Sequence, residues 1–265
     1  MDTGTGGGVG GGIDKVVATP REAVADVADG AVLGVGGFGP CGVPITLIAA
    51  VLDGGARELT TITNNYGAGT DGLGSLLHAG RIARTISSFV GGSDELSRRY
   101  LAGELEVELT PQGSLVERLR AGGVGIPAFY TPTGVGTLVA EGGIPARYAP
   151  DGTVAVSSPP KEVREFGGRS YVLETALRPD FGLVRAAVGD RHGNLVFAGS
   201  AGNLNPLMAM AGRITVAEVE ELVAPGEIPP DRVHLPGVFV DRVVLAGPVR
   251  KSIEKRTVRP AVGTL

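Results

Sequence analysis

Residues 33–44 read LGVGGFGPCGVP: an apolar run, a cluster of glycines, then a proline suited to opening a helix. Gly34, Gly36 and Gly39 spell G-x-G-x-x-G, the spacing of a dinucleotide-binding turn. Such a turn needs a helix directly after its first glycines. It also needs an acidic residue closing the second strand, to hold the ribose hydroxyls. Neither condition is met. Pro44 suits the first helical position, so Pro40 and its neighbours must form an extended loop. The next strand candidate, Leu59–Thr63, ends on Asn64 and Asn65 rather than on Asp or Glu. Two uses of the loop stay open. Its bare backbone N–H groups can approach an anion or a developing oxyanion at a helix N-terminus, or the glycines can serve only a tight strand-to-helix crossover.

Working outward, short apolar runs alternate with helix-like segments. Pro20–Ala28 reads as a helix with Thr19 as N-cap, Ala31–Val35 as a strand and Pro44–Leu52 as a helix. Leu73–Ala79, Ser93–Ala102 and Leu115–Ala121 read as helices; Thr85–Phe89 and Glu106–Leu109 read as strands. The pattern predicts an α/β fold with an open, mostly parallel sheet flanked by helices. The second half is more mixed, with strand candidates at Tyr171–Thr175, Phe181–Ala187, Leu195–Phe197, Ile214–Val219 and Val238–Val244. Asn205-Pro206 reads as an N-cap followed by a first-turn proline. Gly122–Thr137 is rich in glycine and proline but poor in charge, as a packed loop lining something would be. We expect residues 1–12, almost all glycine and polar, to be a disordered tail, and residues 13–265 to form one domain whose weakest stretch is Gly142–Pro160.

The 265 residues are 43% hydrophobic and 20% charged, ordinary for a globular chain. A net charge of −4 argues against a nucleic-acid partner. No apolar run approaches the length of a membrane span, and the N-terminus lacks the basic and apolar regions of a signal peptide, which points to the cytoplasm. The single cysteine, Cys41, excludes an internal disulfide. With no His or cation beside it in sequence, it reads as a packing residue rather than a reactive thiol. His78, His192 and His234 show no metal spacing. Glu218, Glu220 and Glu221 read as a solvated edge or a subunit contact.

The stretch DGAVLGVGGFGPCGVP, residues 29–44, resembles the signature of the A subunit of family I CoA-transferases. Gly34 stands where that signature usually has an apolar residue. TNNYGAG (63–69), ISSFVGG (86–92), YLAGELEVELTPQGSLVERLRAGG (100–123), IPAFYTPTGVGTLVAEG (126–142), NPLMAMA (205–211), AEVEELVAPGE (217–227) and EKRTVR (254–259) follow in the family's order. The resemblance therefore covers essentially everything from Ile13 onward. It is strongest to members that move CoA from succinyl-CoA to a 3-oxo acid such as acetoacetate; a 3-oxoadipate-specific enzyme is the close alternative. A non-catalytic domain binding phosphorylated metabolites is the alternative from another class, because fold alone does not decide function.

The resemblance implies half an enzyme. The family's nucleophile is a glutamate carried by the B subunit in a Ser-Glu-Asn-Gly motif, and this chain has no such tetrapeptide. Glu141, in Ala-Glu-Gly-Gly, reads as a surface or helix-end carboxylate. The implied partners are a B subunit, in a heterodimer or heterotetramer, an acyl-CoA and a carboxylic acid. No metal or permanently bound cofactor is implied, with the coenzyme A thioester serving as substrate. The implied supporting residues on this chain are Gln112, Asn64 and Asn65, amides able to donate to an oxyanion without a competing charge. The segment Gly36, Gly37, Phe38, Gly39, Pro40, Cys41, Gly42 is implied to contact CoA. Tyr66 replaces a small residue of the closest members and is a place where the acyl pocket could differ. Gly92-Ser93 replaces a more usual Glu-Asn.

Overall fold

A computed structural model describes residues 13–67 and 69–247. The tail at 1–12 and the EKRTVR motif lie outside the described residues. Thr19 accepts a hydrogen bond from the Glu22 N–H and opens α1 (Pro20–Ala23). This helix stops at Ala23, five residues before the Ala28 its sequence suggests. The chain turns after Ala23, and Arg242 binds Asp26 through two bonds of 2.7 Å. Then come β1 (Val32–Val35), α2 (Ile45–Gly54), β2 (Leu59–Thr63), α3 (Leu73–His78), β3 (Ile82–Ser87), α4 (Asp94–Leu101), β4 (Glu106–Leu109) and α5 (Gln112–Gly123). Pro44 stands just before α2 rather than inside it, and Gly55 ends that helix in the left-handed region at φ 85°. Ser93 caps α4 by accepting from Leu96 N–H at 3.3 Å.

α5 runs longer than expected at both ends. Gly122 and Gly123 read as the start of the loop that follows, yet both residues are helical. A Cβ on Gly122 would lie 2.0 Å from the Leu177 carbonyl oxygen, so glycine here serves close packing. The antiparallel pieces fall in the middle of the chain. β5 (Ala128–Thr131), α6 (Leu138–Glu141), β6 (Pro145–Tyr148), β7 (Val154–Ser157), β8 (Val163–Phe166) and β9 (Arg169–Thr175) form a β5-β9-β8 sheet and a β6-β7 hairpin. The hairpin occupies most of Gly142–Pro160 and is tied down by the Tyr100 hydroxyl, which donates to the Pro145 carbonyl at 2.6 Å. Glu141 ends α6, exposed.

β10 (Phe181–Asp190), β11 (Leu195–Val196), α7 (Asn205–Ala211), β12 (Ile214–Val223) and β13 (Arg242–Leu245) then return to the first sheet. Its order is β13-β12-β10-β1-β2-β3-β4, parallel throughout, with β11 pairing antiparallel to β10. The strand expected at Val238–Val244 begins only at Arg242. Gly237 is pressed against the His192 carbonyl, and a one-turn helix occupies Gly237–Phe239.

One core lies beneath α1 to α4 and includes Leu33, Leu47, Ile48, Leu59, Leu76 and Leu77. The other lies beneath α5 and α7 and includes Ile62, Leu115, Leu119, Val184 and Met208. Alternate strand residues feed the two, as a sheet covered on both faces requires. Gly34 has its place in this packing, since a Cβ there would stand 2.8 Å from Pro179 and 3.0 Å from the Met208 sulfur.

The expectation of a solvated acidic edge fails at Glu218. It lies inside β12, is 0% exposed, forms an ion pair with Arg185 and accepts from Leu47 N–H at 2.9 Å in the first turn of α2. Asn205 is not a helix cap either. It is the first residue inside α7, and its carboxamide bonds to other parts of the fold.

Candidate active site

The parallel strands place four loops along one carboxyl edge, where open α/β sheets put their ligands. Asn64 follows β2, Ser88 follows β3, and Gln112 follows β4 as the first residue of α5. These three side chains meet. Asn64 Nδ2 donates to Gln112 Oε1 at 2.8 Å and lies 3.1 Å from Ser88 Oγ, which is itself 3.3 Å from Gln112 Oε1. The Asn64 carbonyl accepts from Ser87 Oγ at 3.0 Å, Ser88 Oγ at 3.2 Å and Phe89 N–H at 3.2 Å, which binds the ends of β2 and β3 together.

The direction of the amides follows from one end. Gly67 N–H can only donate, and it donates to Asn65 Oδ1 at 2.9 Å. Asn65 Nδ2 therefore donates to Asn64 Oδ1, and Asn64 Nδ2 to Gln112 Oε1. The chain ends at Gln112 Nε2, which meets no protein acceptor among the described residues. Each donor polarises the next along such a chain. The terminal N–H groups are thus preorganised donors without a formal charge.

The glycine loop leaves the neighbouring strand β1. Gly36 N–H continues the ladder to the Leu183 carbonyl at 2.9 Å. Phe38 and Cys41 exchange two backbone bonds, of 2.9 and 3.0 Å, across a Gly39-Pro40 turn with Gly39 at φ 55°. The N–H groups of Phe38 and Cys41 are therefore committed, while those of Gly37, Gly39 and Gly42 make no protein hydrogen bond among the described residues. A cleft of about 50 Å³ joins this loop to the amide cluster, lined by Gly39, Pro40, Val43, Asn65, Tyr66 and Asp71 among others. The lining holds no glutamate. Of the sequence-predicted residues, Asn65 on one side and Gly39 and Pro40 on the other line this cleft, and Asn64 and Gln112 connect to it through the hydrogen bonds of the amide chain.

Tyr66 is only 5% exposed, and its hydroxyl bonds Thr61 Oγ1, which lies 3.1 Å from Thr85 Oγ1. Burial pushes the phenol up to about 12, against the hydrogen bonds from Thr61 and Thr85. Its polar end is therefore turned into the core, and only part of its surface borders the cleft.

A larger cleft, about 430 Å³, runs along β4 beneath the antiparallel segments. Its charges answer one another: Arg84 and Arg118 bind Glu108 at 2.7 and 2.6 Å, and Lys161 binds Glu174 at 2.6 Å. Burial pushes Glu108 up, but Arg118 and Arg84 outweigh it and hold its carboxyl below the ordinary value. Among the described residues no group of three or more His, Cys, Asp or Glu side chains could hold a metal ion. No helix there is long and apolar enough to cross a membrane.

Ser88 escapes a reading of the sequence. Its signal is register: Ser87 pairs with Thr63, so Ser88 lies beside Asn64 once β2 and β3 are adjacent.

The profile that describes coenzyme A transferases matches residues 17–246. The chain belongs to the coenzyme A transferase family. A chain of Mycobacterium tuberculosis, described as the A subunit of a probable succinyl-CoA:3-ketoacid coenzyme A transferase, is 62% identical over 93% of this chain and 100% of its own length. The human mitochondrial succinyl-CoA:3-ketoacid coenzyme A transferase 2 is 51% identical over 92% of this chain, which spans only 47% of the human protein. Among solved structures, an acyl-CoA transferase of Escherichia coli O157:H7 in a thioester complex with CoA superposes with a TM-score of 0.75 at 25% identity. The match covers 93% of this chain and 52% of that one.

Proposed function

We propose that this chain is the A subunit of a heteromeric CoA-transferase that moves CoA from succinyl-CoA to a 3-oxo acid such as acetoacetate. A B subunit supplies the nucleophilic glutamate. The observation that carries this reading is the directed amide chain, which runs from Asn65, at a cleft whose lining holds no glutamate, to the open donor Gln112 Nε2. Three exposed apolar side chains stand along the same carboxyl edge: Phe38, Phe89 and Leu109, at 41%, 57% and 43% exposure. Such a row beside polar groups suits a surface that a partner covers.

In the proposed reaction the partner's carboxylate attacks the acyl-CoA carbonyl. The tetrahedral oxyanion collapses with loss of the CoA thiolate, leaving an acyl-glutamyl anhydride. The thiolate then attacks the glutamyl carbonyl, releasing the donor acid as its carboxylate and leaving glutamyl-CoA. The acceptor carboxylate enters and the steps reverse, giving ping-pong kinetics. This chain's part is electrostatic. Gln112 Nε2 donates to the oxyanion, Asn64 and Asn65 fix its direction, and the unpaired amides of the glycine loop hold the acyl carrier at the opposite wall.

The test is reconstitution. Mixed with a B chain carrying the glutamate, this chain should support transfer from succinyl-CoA to acetoacetate, faster than to 3-oxoadipate. Preference for 3-oxoadipate would overturn the substrate assignment, and transfer by this chain alone would overturn the division of labour.

A further inference from the structure

We infer that Asn205 is a positioning residue that latches both ends of the glycine loop. Its geometry is independent of the proposed reaction; its kinetic consequence rests on that reaction.

Gly36 N–H bonds the Leu183 carbonyl. In an unbroken parallel ladder the next rung would run from Arg185 N–H to the Gly36 carbonyl. That rung is missing, because Asn205 Oδ1 accepts from Arg185 N–H at 3.0 Å. The side chain thus replaces strand β1 at the point where β1 must leave β10 and enter the loop. Its other end holds the loop's return. Asn205 Nδ2 donates to the Gly42 carbonyl at 3.0 Å and to the Ala201 carbonyl at 3.0 Å. Only an NH₂ group can serve two carbonyls this way, so the orientation of the amide is fixed.

Asn205 also accounts for two of the loop's glycines. A Cβ on Gly36 would lie 1.9 Å from Asn205 Oδ1, and one on Gly42 would lie 2.6 Å from Nδ2. Both ends of the loop therefore press on one fully buried amide. The segment between them, Gly37 to Cys41, includes Gly39, which lines the cleft, and its position follows from the latch.

Cys41 makes the latch measurable, because it is the chain's single cysteine and lies in that segment. In the assembled enzyme, the alkylation rate of the Cys41 peptide, read by mass spectrometry, reports the loop directly. Asn205→Ala should raise that rate about tenfold, the factor expected for losing roughly one hydrogen bond's net worth. KM for the acyl-CoA should rise by about the same factor, with kcat changing less. Leu105→Ala, in the core away from the loop, should lower Tm and leave the Cys41 rate unchanged. Should Asn205→Ala not fold, Gly42→Ala pushes on the same contact from the loop side and should also speed alkylation. Faster alkylation with unchanged KM upholds the latch and removes CoA from the loop. An unchanged Cys41 rate in a folded Asn205→Ala or Gly42→Ala enzyme overturns the latch.

Discussion

Replacing Gln112 by alanine removes the last donor of the amide chain but leaves Asn64 held by Ser87, Ser88 and Phe89. The expected result is a fall in kcat of about 100-fold, the usual loss for one oxyanion donor, with Tm unchanged. Gln112→Glu should cost more, since it sets an acceptor where the oxyanion forms and a negative charge near the attacking carboxylate. Comparing kcat and Tm of the two variants checks both points. At Tyr66 the outcome should be milder. Tyr66→Phe leaves Thr61 and Thr85 paired at 3.1 Å, so thermal denaturation should show a loss of about 1 kcal/mol. Asn64, Asn65 and Gln112 were legible in the sequence because the family resemblance implies them; their place at the ends of strand candidates alone reads equally as turn chemistry. Ser88 and Asn205 were not, because their roles depend on which strands lie side by side.

Helix α2 and strands β10 and β12 meet around Glu218 and Arg185. The Leu47 N–H in the first turn of α2 donates to Glu218, so a neighbouring strand supplies the cap that Pro44 cannot. Burial pushes the Glu218 carboxyl above its ordinary value, against its bonds from Leu47 and Arg185. A carboxyl with a raised folded-state value binds its proton more tightly folded than unfolded. Its contribution to stability is therefore largest at low pH and declines as pH rises from 4.5, the unfolded value, through the folded one. Glu218→Gln deletes this decline. The Tm of the variant should gain on that of the wild type as pH rises across that window, and a gap independent of pH would contradict the assignment. Element types were readable from the apolar runs, and β2 and β4 match to the residue. The misreadings share a cause: Asn205, Gly122 and Glu218 carry local cap, loop and surface signals that tertiary partners override.

Across the whole molecule, the candidate site gathers on one edge of the parallel sheet, with the amide cluster, the glycine loop and the exposed Phe38, Phe89 and Leu109 along it. If a partner covers this edge, Phe89→Ala should weaken its association by about 30-fold, the scale of an aromatic hot spot, without lowering the Tm of the isolated chain. Titration of the two chains by calorimetry reads that change. The parallel order of the sheet was implied by alternating strands and helices. The antiparallel segments from β5 to β9 were not, because β6, β7 and β8 are four-residue strands with little buried apolar surface to mark them. The division of labour between two chains is tested most directly by quenching the assembled enzyme after mixing with acyl-CoA and mapping the peptide that carries the covalent CoA. The adduct should lie on a glutamate of the partner chain, and an adduct on any glutamate of this chain would contradict the account.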